Sequence, residues 1–240
     1  MLYLLYKKDK KGEKGNMEGT ELVTNLLNRF KRYETIELTQ EEELAVLAAI
    51  TPDDELDHGT SRVVYALGDY VVKVAMSVGG VTQNKTEYKF YKDYGRHGVF
   101  ANLYAHGKMI NIMERLDDCE YYELERWWDE EDEDEWEFNT RIDEVINTAN
   151  DLTDYSGGDN GQIGYSQLDD CYKLYDYGYS NDYTRGEMVD DVGAYKDATD
   201  PIENAIEVVK GMKLPSQQEL YARYRRYWEE EEEREEDELC

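Results

Sequence analysis

The sequence predicts an α+β protein, with a small antiparallel sheet in its N-terminal half and a mostly helical C-terminal half. Runs rich in β-branched and aromatic residues, separated by turns or by one helix, predict the sheet. They lie at 62–67, 70–76, 100–105 and 108–113. Beyond residue 116 the pattern changes to an apolar stripe of helical period and to helix-capping signals. The 240 residues could form one compact two-lobed domain or two small ones.

The chain is predicted to begin with a flexible leader and two helices. Residues 1–20 form the leader, because a polar, glycine-containing stretch follows a short apolar start. Residues 21–32 repeat apolar side chains on one helical face. Thr39-Gln-Glu-Glu42 is a capping box that begins a helix through Ile50. Residues 52–57 are predicted to link this helix to the sheet.

A lysine inside an apolar strand is the most informative feature of the predicted sheet. Lys73 lies among the valines of the second strand, which Gly68-Asp69 joins to the first. A buried ammonium group is costly unless it meets an anion. Asn84-Lys-Thr-Glu87 opens a predicted helix, so Glu87 could supply that anion. Ahead of the first strand, Gly59-Thr-Ser61 forms a glycine-containing loop.

The C-terminal half is predicted to contain helices, two short strands and a loop-like stretch. We predict helices at 119–128, 137–150, 200–212 and from 216 onward, and strands at 162–166 and 171–175. The second helix carries an apolar stripe, suited to a core, of Phe138, Ile142, Val145, Ile146 and Ala149. Asp200-Pro-Ile-Glu203 combines an N-cap, a proline at the first helical position and a capping glutamate.

These motifs, in this order, resemble protein kinases: Gly59-Thr-Ser-Arg-Val-Val-Tyr, Lys73, Glu87 and Tyr172-Lys-Leu-Tyr-Asp-Tyr-Gly178. The sequences of these motifs are most similar to those of small kinase-like proteins encoded by viruses of bacteria and archaea. The resemblance implies a two-lobed protein-kinase-like fold with a small antiparallel-sheet N-lobe and a reduced, mostly helical C-lobe. The lobes would occupy 21–116 and 117–228, followed by an acidic tail at 229–240. The resemblance also implies that the protein is cytoplasmic, and that it lies in the host cytoplasm if it is viral.

The resemblance implies ATP and Mg²⁺ as cofactors. The implied nucleotide-binding residues are Gly59, Ser61, Lys73, Glu87 and Glu114, and the implied metal ligands are Gln162 and Asp176. In a working kinase, Lys73 would hold the α- and β-phosphates, Glu87 would orient Lys73, and Asp176 would bind Mg²⁺.

Departures from the kinase pattern predict a pseudokinase with little or no phosphoryl transfer. Ser61 stands where a kinase usually has its second loop glycine, and a Cβ there hinders close approach to phosphates. If Gln162 replaces the catalytic-loop asparagine, the base position falls on Gly157, which cannot act as a base. Asp154 and Asp159 are catalytic candidates only if the loop is rebuilt. No Ala-Pro-Glu motif follows Asp176, so the ordinary platform for a peptide substrate is missing.

The net charge of −29 is concentrated in two acidic runs. Residues 117–144 hold 15 acidic and 2 basic residues, and 229–238 hold 9 acidic and 1 basic residue. Such runs are often solvated faces or interaction tails. The alternative function is therefore an acidic interaction protein on a kinase-like scaffold that occupies a basic host or viral partner. The charge argues against direct binding to nucleic acid.

The remaining composition narrows the class of protein. Three cysteines without paired spacing argue against a disulfide framework or a zinc site and favour reduced thiols in a cytosolic protein. The three histidines are dispersed, without the spacing of metal ligands. No apolar run is long enough for a signal peptide or a membrane span. The sequence leaves the oligomeric state open.

Overall fold

The computed structural model has an α+β fold and describes residues 13–59, 61–118, 140–141, 143–149, 163–177 and 200–214. Its helices are α1 (Glu13–Leu27), α2 (Gln40–Ala49), α3 (Val78–Tyr94), α4 (143–149) and α5 (Pro201–Val209). Its strands are β1 (Ile36–Glu37), β2 (Glu55–His58), β3 (Arg62–Leu67), β4 (Tyr70–Ala75), β5 (Leu103–His106), β6 (Ile110–Glu114), β7 (Asp117–Asp118), β8 (Ile163–Ser166) and β9 (Cys171–Leu174).

The main sheet is mixed and has six strands in the order β1-β5-β6-β4-β3-β2. Its four central strands confirm the runs found in the sequence, but the expectation of a purely antiparallel sheet is wrong, because β1 pairs with β5 in parallel. Residues 52–57, predicted as a linker, instead form a short 3₁₀ helix and most of edge strand β2. The side chains of β2 are polar or exposed, so no apolar run marked it as a strand.

Two helices begin earlier than predicted. Helix α1 begins at Glu13 rather than Glu21, inside the stretch assigned to the leader. Helix α3 begins at Val78, where Ser77 caps it and accepts a hydrogen bond from Gly80 N at 3.3 Å. Gly79 and Gly80 concealed this first turn, because glycine is a poor helix former. The capping box of α2 is confirmed, with Thr39 Oγ1 accepting from Glu42 N at 3.2 Å.

The pleat of the main sheet divides its side chains between two faces. One face contributes Val63, Tyr65, Val72 and Val74 to a core shared with α1, α2 and α5. Helix α5 begins at the predicted Asp200 cap and ends at Val209, short of Met212. The sequence assigned it to a C-terminal lobe, but it packs on α2 and β4 beside the N-terminal helices. An amphipathic helix shows its apolar face in the sequence, not the partner of that face.

A second core joins the opposite side of the main sheet to a three-stranded sheet, β7-β8-β9. Strands β8 and β9 confirm the two short strands predicted from the sequence. The predicted stripe on α4 is confirmed at Val145 and Ala149, which are both buried in this core. Tyr177 is fully buried here, and its hydroxyl donates to the Ala101 carbonyl at 3.0 Å. This anchor holds the segment that follows β9 against the stretch that leads into β5.

Several predicted features lie outside the described residues. They are the first twelve residues of the leader, the helices at 119–128 and from 216 onward, the loop-like stretch from after Gly178 to about Thr199, most of the acidic run at 117–144 and all of the run at 229–238. Across the segments that are described, no helix is long and apolar enough to cross a membrane.

Candidate functional site

Four charged side chains meet where the two cores adjoin. Lys73 Nζ on β4 lies 2.7 Å from Glu87 Oε1 on α3, as the sequence predicted for this pair. Lys73 Nζ also donates to the Tyr175 carbonyl at 2.7 Å and lies 3.7 Å from Asp176 Oδ1. Arg62 on β3 completes the cluster: Nη1 is 2.8 Å from Glu87 Oε1 and Nη2 is 2.7 Å from Asp176 Oδ1.

The β3–β4 hairpin brings the two cations to one face of the sheet. Gly68, with φ of 63°, and Asp69 form a two-residue turn, so Leu67 pairs with Tyr70. In this register Val64 lies opposite Lys73. Arg62 is two residues from Val64 and therefore shares its face of the sheet.

Close packing of α3 brings Glu87 to the same place. A Cβ at Gly80 would collide with the Ser61 carbonyl oxygen and lie 3.1 Å from Ala75 Cα. A glycine is therefore needed for the first turn of α3 to approach the loop and the end of β4. The loop is also tied to α3 by Ser61 Oγ, which donates to Gln83 Oε1 at 2.7 Å.

Two asparagines complete the hydrogen bonding around Glu87. Asn111, which pairs with Lys73 across β4 and β6, donates to Glu87 Oε2 at 2.9 Å and to the Asn84 carbonyl at 3.0 Å. Asn84 Oδ1 accepts from Arg62 Nη1 at 3.3 Å. Both oxygens of the Glu87 carboxylate therefore have partners, which is what a fully buried carboxylate requires.

Burial makes the charges of this cluster strongly interdependent. The side chains of Arg62 and Lys73 are only 7% and 5% exposed, and that of Glu87 is 0% exposed, whereas that of Asp176 is 31% exposed. Burial by itself lowers the pKa of Arg62, but attraction to Glu87 and Asp176 outweighs it, so the pKa lies above its usual value. Two cations thus balance two anions, and Asp176 is the member most open to solvent.

A cavity of about 630 Å³ opens over this cluster. Its apolar wall is formed by Leu56, Val64, Val71, Met113 and Leu116. Arg62, Lys73 and Asp176 line it as well, together with Gly59 and Ser61 of the loop. Its volume lies within the range of small-molecule sites, which combine apolar walls with a few polar groups. The apolar wall suits a flat heterocyclic ring and the two cations suit phosphate oxygens, so these residues fit a nucleotide.

The described residues fit Mg²⁺ less well than they fit a nucleotide. Mg²⁺ is bound by oxygen ligands in octahedral geometry. The predicted ligand Asp176 has its Oδ1 held by Arg62 and close to Lys73. Among the described residues, no group of three or more histidine, cysteine, aspartate or glutamate side chains could hold a metal ion. The second predicted ligand, Gln162, lies outside the described residues, as do the catalytic candidates Asp154 and Asp159.

The carboxylate of Glu114 belongs to a different buried cluster. It accepts hydrogen bonds from Asn102 N at 3.1 Å and Lys173 Nζ at 2.9 Å, and also from Ser166 Oγ. Lys173 in turn pairs with Asp169. These bonds tie β6 to the three-stranded sheet. Glu114 therefore lines the cavity with its carboxylate engaged on Lys173, rather than joining the cluster of Lys73.

Three further members of the site were not predicted from the sequence, namely Arg62, Asn84 and Asn111. A signal for Arg62 was present, because a two-residue turn at Gly68-Asp69 sets the hairpin register and puts Arg62 on the face of Lys73. No comparable signal existed for Asn111, whose position depends on the pairing of β6 with β4.

Comparisons of the chain with protein-family models, curated proteins and solved structures find no match. The ligand of the cavity is therefore inferred from the geometry of the cavity and the residues that line it.

Proposed function

We propose that this chain is a kinase-like, nucleotide-binding protein with little or no phosphoryl transfer. The observation that carries the proposal is the 2.7 Å ion pair between the strand lysine Lys73 and the helix glutamate Glu87, with Asp176 Oδ1 3.7 Å from the lysine. Protein kinases place a strand lysine, a helix glutamate and a metal-binding aspartate in the same relation around ATP. The ligand would be a nucleoside triphosphate such as ATP.

The lining of the cavity suggests that different residues would bind the base and the phosphates of the nucleotide. The base would lie against Val64, Val71 and Met113, where burial of an aromatic ring is favourable. The phosphates would extend toward Lys73 and Arg62. Both cations keep their side chains at the cavity while pairing with the carboxylate of Glu87 behind it.

A reduced two-lobed kinase arrangement is part of the proposal. The six-stranded sheet with α3 would correspond to the small lobe, and the three-stranded sheet with α4 to a reduced large lobe. The cavity draws its lining from both sheets, since Lys73 lies on β4 whereas Asp117 lies on β7. Helix α5 would be an addition to the small lobe, because it packs on α2 and β4.

Thermal unfolding with ATP tests nucleotide binding directly. At about ten times Kd, a ligand specific for the folded state stabilises by about 1.4 kcal/mol. In a chain of this size that raises Tm by about 3–6 °C. Lys73→Met should abolish the rise relative to its own ligand-free Tm, because it removes the phosphate-facing charge and keeps an apolar stem. Lys210→Met, at a half-exposed lysine at the C-cap of α5, is the matched control and should keep the rise.

If ATP moves Tm neither with Mg²⁺ nor with a chelator, the proposal is wrong. A shift that survives Lys73→Met would place the ligand outside this cavity.

Weak or absent catalysis follows from the sequence around Gly157 and needs a separate assay. Purified protein with labelled ATP should transfer no more label to itself or to generic substrates than the Lys73→Met variant does. Transfer that disappears in Asp154→Asn or Asp159→Asn would overturn this part of the proposal and identify the base.

A further inference from the structure

We infer that Arg62 takes the place of a divalent cation at Asp176, so that the cavity binds nucleotide phosphates without Mg²⁺. The inference rests on the proposed nucleotide binding and specifies its chemistry. In a kinase, Mg²⁺ bridges the aspartate and the phosphate oxygens. Here the guanidinium of Arg62 contacts the aspartate directly.

The position of Arg62 suits such a bridge. Its Nη2 lies 2.7 Å from Asp176 Oδ1, its Nη1 lies 2.8 Å from Glu87 Oε1, and the side chain lines the cavity. A guanidinium carries five donors in a planar fork, so some of its N–H groups can hold carboxylates while others reach a phosphate. Arginine also keeps its charge throughout the neutral pH range of a binding assay.

A divalent cation bound at Asp176 Oδ1 would have to displace this arginine. Coordination by Asp176 Oδ1 would break the pair with Arg62 and bring two further positive charges next to Lys73, which lies 3.7 Å from the same oxygen. The arginine would also lose one of its two carboxylate partners while 7% exposed, and removing a partner from a buried ion pair is strongly unfavourable. Both effects oppose metal binding at this oxygen.

Calorimetric titration of ATP in two buffers, one with Mg²⁺ and one with EDTA at matched ionic strength, tests the inference. The wild-type chain should bind with affinities that differ by less than about threefold, well under the tenfold that 1.4 kcal/mol represents. Binding at least about tenfold tighter in Mg²⁺ would overturn the inference and leave the proposed function standing. No binding in either buffer would overturn both.

Substitutions assign the effect to Arg62. Arg62→Gln should weaken binding in EDTA by about tenfold or more, as expected for loss of a charge-assisted contact to phosphate, and addition of Mg²⁺ should restore it. Arg96→Gln, at an exposed arginine after α3, is the matched control and should leave both affinities unchanged. Tighter binding of Arg62→Gln in EDTA would show that the arginine obstructs the phosphates, which overturns the inference.

Asp176→Asn provides an independent check that does not remove a buried cation. If Arg62 does the work of the metal, loss of this carboxylate should leave binding in EDTA equal or tighter, because one negative charge near the phosphates is gone. If Asp176 instead recruits Mg²⁺, the variant should lose its binding in the Mg²⁺ buffer.

Discussion

Glu87→Gln is the substitution that should disturb the charged cluster most. Glu87 is 0% exposed, and its carboxylate accepts from Lys73, Arg62 and Asn111 at 2.7, 2.8 and 2.9 Å. Glutamine keeps the shape of the side chain but removes the charge. It also turns a donor toward either Asn111 or the two cations, where only acceptors are useful.

The expected cost follows from the burial of the partners. Loss of the Glu87 charge leaves Lys73 and Arg62, both less than 10% exposed, with Asp176 as the remaining carboxylate of the cluster. Breaking a buried ion pair in this way costs about 3–5 kcal/mol. For a chain of this size the corresponding decrease in Tm is about 6–20 °C.

Urea unfolding followed by far-UV circular dichroism measures this loss, and Glu207→Gln is the matched control. Glu207 pairs with Lys210 at 3.1 Å, but both side chains are about half exposed. That pair should contribute no more than about 1 kcal/mol. A loss below about 1 kcal/mol for Glu87→Gln as well would mean that the buried cations find other partners, and the account of the cluster would be refuted.

Four further changes test other parts of the chain. Gly80→Ala should destabilise by about 1–3 kcal/mol because its Cβ meets the Ser61 carbonyl. Gly19→Ala, where nothing lies within 4 Å, should instead stabilise α1 by up to about 1 kcal/mol, and urea unfolding that shows the same sign for both would contradict this packing. Asp169 is partly buried, which raises its pKa, but Lys173 outweighs this, so its folded pKa lies below the usual 3.8. Its stabilising effect is therefore present above pH 3.8 and lost as the pH falls through the lower folded value, so Asp169→Asn should lessen the loss of stability in acid unfolding; equal acid dependence of the two chains would show that Asp169 is not responsible. Deletion of 229–240 should leave Tm unchanged or slightly higher in low salt, because the run repels itself, and failure of the shortened chain to fold would exclude a dispensable tail.

Local signals in the sequence were sufficient for much of the fold. Strands β3 and β4 followed from β-branched runs on either side of Gly68-Asp69, and the starts of α2 and α5 followed from their capping residues. These signals act within a few residues, so they do not depend on the rest of the chain. The lysine–glutamate pair was also predictable, since a lysine among valines requires an anion.

Tertiary contacts decided the rest of the candidate site. Glu114 is the last residue of β6, and the approach of β9 gives its carboxylate Lys173 as a partner. Asn111 joins the cluster only through the pairing of β6 with β4. Both depend on residues far apart in sequence, whose proximity no local pattern encodes.

The sequence by itself determined that the buried charge of Lys73 must be neutralised and that Glu87 could supply the counter-charge. Tertiary structure alone decided that Arg62 also reaches Glu87 and Asp176, because that requires the hairpin, α3 and the segment after β9 to converge. A charged residue in a buried strand requires a counter-charge, but which carboxylates supply it depends on how separate elements pack.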